Sequence, residues 1–283
     1  MKIAITADLH WGISARGDRC TVRLAQRVVQ INPNILILLG DTGVEKEMDE
    51  CLARFEKFRG VKLLVAGNHC LWSEARNVDS MKIYREIIPA TAKKFGFHYL
   101  DEKPWLAEDG SLAIVGNINW YDYSCASPII AAKHPDCETM YRRKEFLNGW
   151  HNDGRFVRLG MSDSDFTKHV LAQLQTHLEE MNQHAKLLLA AVHHPPFPEL
   201  FYPAKNQPSD DDLIWPAYTS NRAIAELLPR YEKLRYVFCG HTHAARAAIV
   251  GRIRAFNIGG NYDWKRLAVL DLPSEEVSFE VFR

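Results

Sequence analysis

Five short apolar runs recur along the chain: KIAITA (2–7), NILILL (34–39), VKLLVA (61–66), KLLLAAV (186–192) and LRYVFC (234–239), each rich in Val, Ile, Leu and Ala and flanked by helical or turn-like sequence. Runs of this length without polar alternation read as strands buried on both faces, as in an α/β sheet. Arg16 to Gln30 has apolar residues at helical spacing, and Glu45 to Phe58 repeats the pattern between the second and third runs, which predicts strand and helix in alternation. Ser80 to Phe95 is helical in pattern but interrupted by Pro89, and Leu112 to Gly116 is another short apolar run. From Asn117 to Ser162 the alternation lapses into sequence rich in aromatic, Asn, Asp, Gly and Pro residues, which predicts a loop-like insertion. Asp163 to His184 resumes as a long helix with Ser162 or Asp163 as its cap. Ala247 to Val250, Ile253 to Ile258, Leu267 to Leu272 and Val277 to Phe282 are short runs with turns between them and predict meandering strands. The chain has no internal repeat, low-complexity tract or Pro/Ser-rich linker, so the pattern predicts one α/β domain over residues 1–283 with a mixed sheet core and a specificity insertion at about 117–162.

A polar motif follows each of the five runs: Asp8-Leu9-His10, Gly40-Asp41, Gly67-Asn68-His69, His193-His194-Pro195-Pro196 and Gly240-His241-Thr242-His243. In open α/β sheets ligands bind beyond the carboxyl ends of the strands, so these positions predict that all five motifs meet at one rim. Asp8 with His10, and His241 with His243, are spaced by two residues, and extended backbone directs such pairs to the same side, where each pair can grip one ion. Carboxylate oxygen, imidazole nitrogen and the amide oxygen of Asn68 form a ligand set without thiolate, suited to manganese, iron or zinc. Asp41, alone in its motif, is the natural bridge between two ions, which would lie roughly 3.5 to 4 Å apart. Taken singly, each motif has a plainer reading: Gly-Asp as a turn with an Asx cap, Asp-Leu-His as the cap of the next helix, His-His-Pro-Pro as a loop entrance. Five such accidents in order, each with a suitable ligand type, make a poor explanation of the set.

Composition fits an enzyme with a sizeable core, since 47% of the 283 residues are hydrophobic. The 35 basic and 35 acidic residues balance, which disfavours a nucleic-acid polymer as partner. Six cysteines without a C-x-x-C pair give neither a disulfide framework nor a thiolate zinc site. No stretch of eighteen apolar residues occurs, and a strand begins at the second residue with no signal-peptide pattern, so the expectation is a cytoplasmic protein without membrane association.

The motifs resemble those of the calcineurin-like metallophosphoesterases, whose signature runs D-x-H, G-D, G-N-H-[D/E], H and G-H-x-H, and they span residues 8 to 243. The resemblance implies two packed mixed β-sheets flanked by helices in four layers. It also implies one metal held by Asp8, His10, Asp41 and His243 and another by Asp41, Asn68, His193 and His241, with His193 rather than His194 as ligand because it directly follows the run. Such a dinuclear site would use a metal-activated hydroxide to attack a phosphomonoester or phosphodiester in line, a phosphorylated small molecule being the favoured substrate, with His69 near the phosphoryl group as its catalytic residue. The chain departs from the signature at Cys70, which stands where the family usually has the Asp or Glu that orients that histidine. Cys70 reads as a packing residue.

Specificity is expected in Asn119-Trp120-Tyr121-Asp122-Tyr123 and Trp150-His151-Asn152-Asp153-Gly154-Arg155, where aromatics would stack on a base or sugar and Arg155 would meet a phosphate, unless the loop buries its aromatics against the domain. Phe197 to Tyr218 offers a lid, and its Ser209-Asp210-Asp211-Asp212 run reads as a solvated acidic loop. The alternatives are a metal-dependent nuclease of the same superfamily, which would want a basic groove, and an inert protein-binding scaffold of the same fold, which should have lost several ligands. A phosphoprotein phosphatase is disfavoured because Thr-Gly-Val-Glu-Lys-Glu follows Gly40-Asp41 in place of the G-D-x-V-D-R-G of that branch.

Overall fold

In the computed structural model, which describes residues 1–73, 78–202 and 205–283, each of the five apolar runs is a strand. In chain order the strands are β1 (Lys2–Thr6), β2 (Ile35–Leu39), β3 (Val61–Val65), β4 (His98–Tyr99), β5 (Trp105–Leu106), β6 (Ala113–Asn117), β7 (Glu145–Phe146), β8 (Gly149–Trp150), β9 (Leu188–Val192), β10 (Leu234–Cys239), β11 (Arg246–Val250), β12 (Ile253–Asn257), β13 (Lys265–Asp271) and β14 (Glu276–Phe282). The helices are α1 (Ala15–Ile31), α2 (Lys46–Ala53), α3 (Ser80–Lys82), α4 (Ile88–Lys94), α5 (Pro128–Lys133), α6 (Cys137–Arg142), α7 (Asp153–Phe156), α8 (Asp163–His184), α9 (Asp210–Ile214) and α10 (Arg222–Leu227). Two six-stranded sheets form, ordered β14-β13-β1-β2-β3-β4 and β11-β12-β10-β9-β6-β5, and β7 pairs with β8 alone. Strands β1 to β4 run parallel, as do β6, β9, β10 and β12; β13, β14, β5 and β11 join antiparallel.

The reason β2 reads ILILL without alternation is that both its faces are covered. Leu36 and Leu38 belong to a core shared with Leu24 and Val28 of α1 and Leu52 of α2, whereas Ile35, Ile37 and Leu39 face the space between the sheets with Leu189, Ala191 and Phe238. On the far side Leu188, Ala190 and Val192 of β9 pack with Leu174 and Leu178 of α8 and Ile224 of α10. Three apolar layers thus separate four layers of secondary structure, as the family resemblance implied. Truncating one of these buried leucines to alanine costs about 2–5 kcal/mol.

Four elements differ from the sequence pattern. α2 stops at Ala53, yet Phe55 and Phe58 remain buried, so the periodicity to Phe58 reported burial rather than helix. Pro89 does not break the Ser80 to Phe95 segment: α3 passes through a π-helical turn at Ile83–Ile87 into α4, where Pro89 sits in the first turn and needs no donor. The 117–162 segment is not a loop throughout, since it holds α5, α6, the β7–β8 ribbon and α7, elements of two to six residues too short to show a period. The C-terminal strands form two hairpins in different sheets, and β12 runs parallel to β10 rather than continuing a meander. Elsewhere the prediction stands: Ser162 caps α8, accepting from the Asp165 amide at 3.1 Å. Among the described residues no helix is long and apolar enough to cross a membrane.

Candidate metal and active site

Strands β1, β2, β3, β9 and β10 each deliver a motif to one rim between the sheets. The loops are tied to one another by main-chain hydrogen bonds: the His10 amide donates to Asp41 O at 2.7 Å, Asp8 N to Gly40 O at 3.3 Å, and Gly240 N to His193 O at 3.0 Å. Close approach requires glycine at these turns, as two positions show. A Cβ on Gly67 would stand 2.2 Å from Asp41 Oδ1, and one on Gly40, whose φ is +83°, would stand 2.5 Å from His193 Nδ1.

The spacing argument from extended backbone fails here. Asp8 (φ 56°), His10 (44°), Asp41 (49°), His241 (70°) and His243 (57°) all adopt left-handed conformations, which for residues other than glycine cost about 1–2 kcal/mol each. Such strain concentrates where the side-chain direction matters. His241 and His243 are accordingly turned apart: His243 groups with Asp8 and His10, and His241 with His193 and His194. Asp8 and Asp41 also come together with His193, and His10 and Asp41 with His69.

The donor atoms converge. Nε2 of His10 faces Nε2 of His243 at 2.9 Å. Asn68 Oδ1 lies 3.1 Å from His193 Nε2 and 3.2 Å from His241 Nδ1. Asp41 Oδ2 lies between the two clusters, 3.7 Å from His10 Nε2 and 3.4 Å from His193 Nε2. The remaining oxygens are fixed by backbone, Asp41 Oδ1 accepting from the His69 amide and Asp8 Oδ1 from the His241 amide, each at 2.9 Å. Asp8 Oδ2 is buried with no partner among the described residues. His193 Nδ1–H donates to Leu39 O at 2.8 Å, which fixes the ring so that Nε2 faces Asn68 Oδ1 and Asp41 Oδ2. An unpaired carboxylate oxygen and imidazole and amide lone pairs aimed at common points, without a thiolate, fit hard or borderline divalent cations.

Three of the imidazoles are neutral. Burial pushes the imidazoles of His10 and His241 well below their ordinary value, and that of His243 to about 4, so these rings are neutral and able to bind metal. Burial also raises the Asp8 carboxyl, helped by the neighbouring Asp41 charge. Asp41 is held low despite its burial by His193 and His69, and the same pairing raises His193 against the effect of burial.

His194 is buried beside this set. Its Nδ1–H donates to Thr219 O at 3.0 Å and its ring lies 3.9 Å from that of His241, while its Nε2 has no partner among the described residues. His69 lines the cleft, its ring stacked on Trp72 at 3.5 Å and edge-on to His10 at 4.5 Å. Cys70 is a packing residue: its sulfur sits 3.8 Å from Thr42 Oγ1, and burial pushes the thiol up to about 11.

Asp153 was missed as a site residue. Fully buried, it accepts from Asn68 Nδ2 at 2.9 Å and Trp72 Nε1 at 2.7 Å through one oxygen, and from the Tyr121 hydroxyl at 2.9 Å through the other. It thereby orients the Asn68 amide with Oδ1 toward the histidines and anchors the ring on which His69 stacks. Nothing in the motif pattern marks it, but an acidic residue among His and Trp in an insertion was a signal of a kind. Tyr262 was also missed; it packs edge-on against His10 at 4.8 Å and His243 at 5.2 Å.

The cleft above these residues encloses about 340 Å³ and is rimmed by Trp150, Tyr202, Trp215 and Tyr262. Of the predicted specificity segments, Trp120 and Tyr121 are buried as packing, whereas Trp150 is exposed and lines the cleft. Arg155 is exposed and stacks over Phe156, away from the cleft lining. The Ser209–Asp212 run is not a solvated loop. It starts α9 with a capping box, and Asp210 pairs with Lys133 at 2.6 Å while Asp211 accepts from the Leu147 amide at 2.7 Å, so the acids tie this run to the 117–162 segment. Phe197 to Tyr218, proposed as a lid, supplies Tyr202 and Trp215 to the cleft wall; its residues 203–204 lie outside the described residues.

The sequence profile of the calcineurin-like phosphoesterases matches residues 1–245. Among solved structures, the phosphopantetheinyl hydrolase of Mycobacterium tuberculosis aligns with a TM-score of 0.71 at 18% identity, covering 93% of this chain and 90% of that one. A dimetal phosphatase from Danio rerio aligns with a TM-score of 0.59 at 12% identity over 95% of each chain. The protein TT1561 of Thermus thermophilus aligns at 0.59 with 9% identity, covering 100% of this chain and 99% of its own. No curated protein matches in sequence.

Proposed function

The chain belongs to the calcineurin-like phosphoesterases and is a metal-dependent phosphoester hydrolase, and from that premise we propose a dinuclear enzyme acting on a phosphorylated small molecule. The observation that carries this reading is the position of Asp41 Oδ2 between two clusters of donors, His10 on one side and His193 on the other. Asp8, His10, Asp41 and His243 would hold one ion, and Asp41, Asn68, His193 and His241 the other. Divalent ions bound there would supply Lewis acidity and would lower the pKa of water toward neutrality, giving the nucleophile. The chain's own residues do the rest. The His241 and His69 amides clamp Asp8 and Asp41 through one oxygen each, which would leave the other oxygen of each available to an ion. His69, wedged between Trp72 and His10 at the cleft wall, is the residue assigned to the phosphoryl group and its leaving oxygen.

A small substrate rather than a nucleic-acid polymer is supported by the cleft lining, which contains no Lys or Arg among the described residues. The cations then carry the whole burden of charge neutralisation. The insertion at about 117–162 is assigned to specificity, since it contributes Trp150, His151 and Asn152 to the cleft.

The test is hydrolysis of bis-p-nitrophenyl phosphate beside p-nitrophenyl phosphate, with protein stripped of metal and resupplied with manganese. Diester cleavage abolished by Asp41→Asn is expected for a phosphodiesterase, and monoester cleavage alone for a phosphatase. Metal analysis should show both ions lost in Asp41→Asn. In His69→Gln they should be retained, with turnover lower by about 10²–10⁴-fold. A His69→Gln protein of undiminished turnover would remove that residue from the mechanism.

A further inference from the structure

Beside the metal cleft lies a larger cavity of about 560 Å³, walled by Pro198, Phe201, Leu213 and Pro216. Tyr202, Trp215 and Thr219 line both spaces, so the two adjoin across these three residues. That shared wall is mounted on the site itself. Thr219 O accepts from His194 Nδ1 at 3.0 Å, the Thr219 hydroxyl donates to Trp215 O at 3.0 Å, and the His194 ring lies against His241. The cavity also lacks free charge on its described walls: its two ionic residues, Lys205 and Asp212, pair with each other at 2.6 Å, and Asp212 further closes the capping box of α9 with Ser209. Such a lining would leave a phosphate or carboxylate desolvated and unpaired, while an apolar group entering it loses only unfavourable contact with water. The volume is that of an ordinary small-ligand site.

We infer that this cavity takes an uncharged, apolar alkyl or alkylaryl group of the phosphoester whose phosphoryl group occupies the metal cleft, so that the enzyme selects esters of apolar alcohols. The inference rests on the hydrolase reading above and narrows its substrate class. The aromatic pair at the mouth, Tyr202 and Trp215, with ring centroids 6.3 Å apart, stands where the ester chain would pass from one space to the other.

The experiment uses the manganese-loaded full chain and the series phenyl, 4-ethylphenyl and 4-butylphenyl phosphate, with the corresponding methyl diesters. The leaving phenols differ little in basicity, so chain length reports binding rather than reactivity. Each fully buried methylene is worth about fourfold, and kcat/KM is expected to rise by about tenfold or more from phenyl to butylphenyl. Leu213 lines this cavity and not the metal cleft. Leu213→Asp should flatten the series, lowering kcat/KM most for the butylphenyl ester and least for the phenyl ester, and Leu213→Ala serves if the aspartate variant fails to fold. Calorimetric binding of 4-butylphenol to the same proteins is the second readout and does not depend on turnover. Esters cleaved with no dependence on chain length, or 4-butylphenol bound equally by wild type and variant or by neither, would overturn the inference. Absence of cleavage together with 4-butylphenol binding that is lost in Leu213→Asp would instead sink the small-molecule substrate reading of the metal cleft and sustain the apolar site.

Discussion

Asp153 is where a single residue of the 117–162 segment reaches the candidate metal site. A primary amide such as Asn68 can present either its oxygen or its nitrogen to a metal, and only the oxygen ligates. Asp153 settles the choice by accepting from Asn68 Nδ2, and its partner Trp72 Nε1 fixes the ring against which His69 stacks. Replacing Asp153 with alanine should therefore lower metal retention or turnover by about 10–100-fold, the usual cost of losing a group that orients a ligand. Metal content and kcat measured together locate the loss; a variant with full metal content and full turnover would show that the Asn68 amide orients itself. This role was not legible in the sequence, because 85 positions separate the two residues and Asp153 belongs to no recognised motif. The absence of an acid at Cys70 was legible, and the structure supplies its consequence. Cys70 packs against Thr42, and His69 Nδ1 has no partner among the described residues, so His69 is held by its ring contacts rather than by a carboxylate.

The elements were legible wherever a strand was covered on both faces or a helix exceeded about three turns, as in β2, α1 and α8. What the pattern could not convey was which sheet each strand joined, since an apolar run is equally buried in either. The junction of the two sheets depends on a residue outside every motif. Asp101 accepts from the Ala66 amide, just after β3 of the first sheet, at 3.0 Å, and from the Ile118 amide, just after β6 of the second, at 2.8 Å. Burial raises its carboxyl to about 7. Between its ordinary value near 3.8 and 7 the native protein keeps a proton that the unfolded chain has released, so the contribution of Asp101 to stability falls as pH rises through that window. The slope is at most about 1.4 kcal/mol per pH unit. Asp101→Asn removes the titration but turns a donor toward one of the two amides, at a cost of about 1–3 kcal/mol. Urea midpoints of the metal-free proteins should thus show a clear deficit for Asp101→Asn at pH 5 that narrows by pH 8. A deficit of constant size would mean that the carboxyl does not titrate in this range.

At the scale of the whole molecule, the fold gathers at one rim a set of groups that are costly to bury without a cation. Asp8, Asp41, His10 and His193 are buried, Asp8 Oδ2 and His10 Nδ1 lack partners among the described residues, and five site residues hold left-handed backbone. The sequence displayed these groups, because D-x-H, G-D and G-H-x-H lie in plain order, but it did not display their energetic cost, which arises only when loops from both sheets meet. That cost would make bound metal a structural as well as a chemical component. A ligand that binds only the native state stabilises it by about 4 kcal/mol at a thousandfold excess over its Kd. In a chain of this size each kcal/mol shifts Tm by roughly 2–4 °C. Chelation should therefore lower Tm by about 10 °C, and manganese should restore it. Asp41→Asn, with the oxygen shared by both clusters replaced, should melt near the chelated wild type and respond to neither treatment. Differential scanning calorimetry of the two proteins with and without chelator checks this. A wild-type Tm indifferent to manganese would mean that the rim is stable as a metal-free network of hydrogen bonds, and would remove the argument that the left-handed loops are held in place by the ions they were folded to bind.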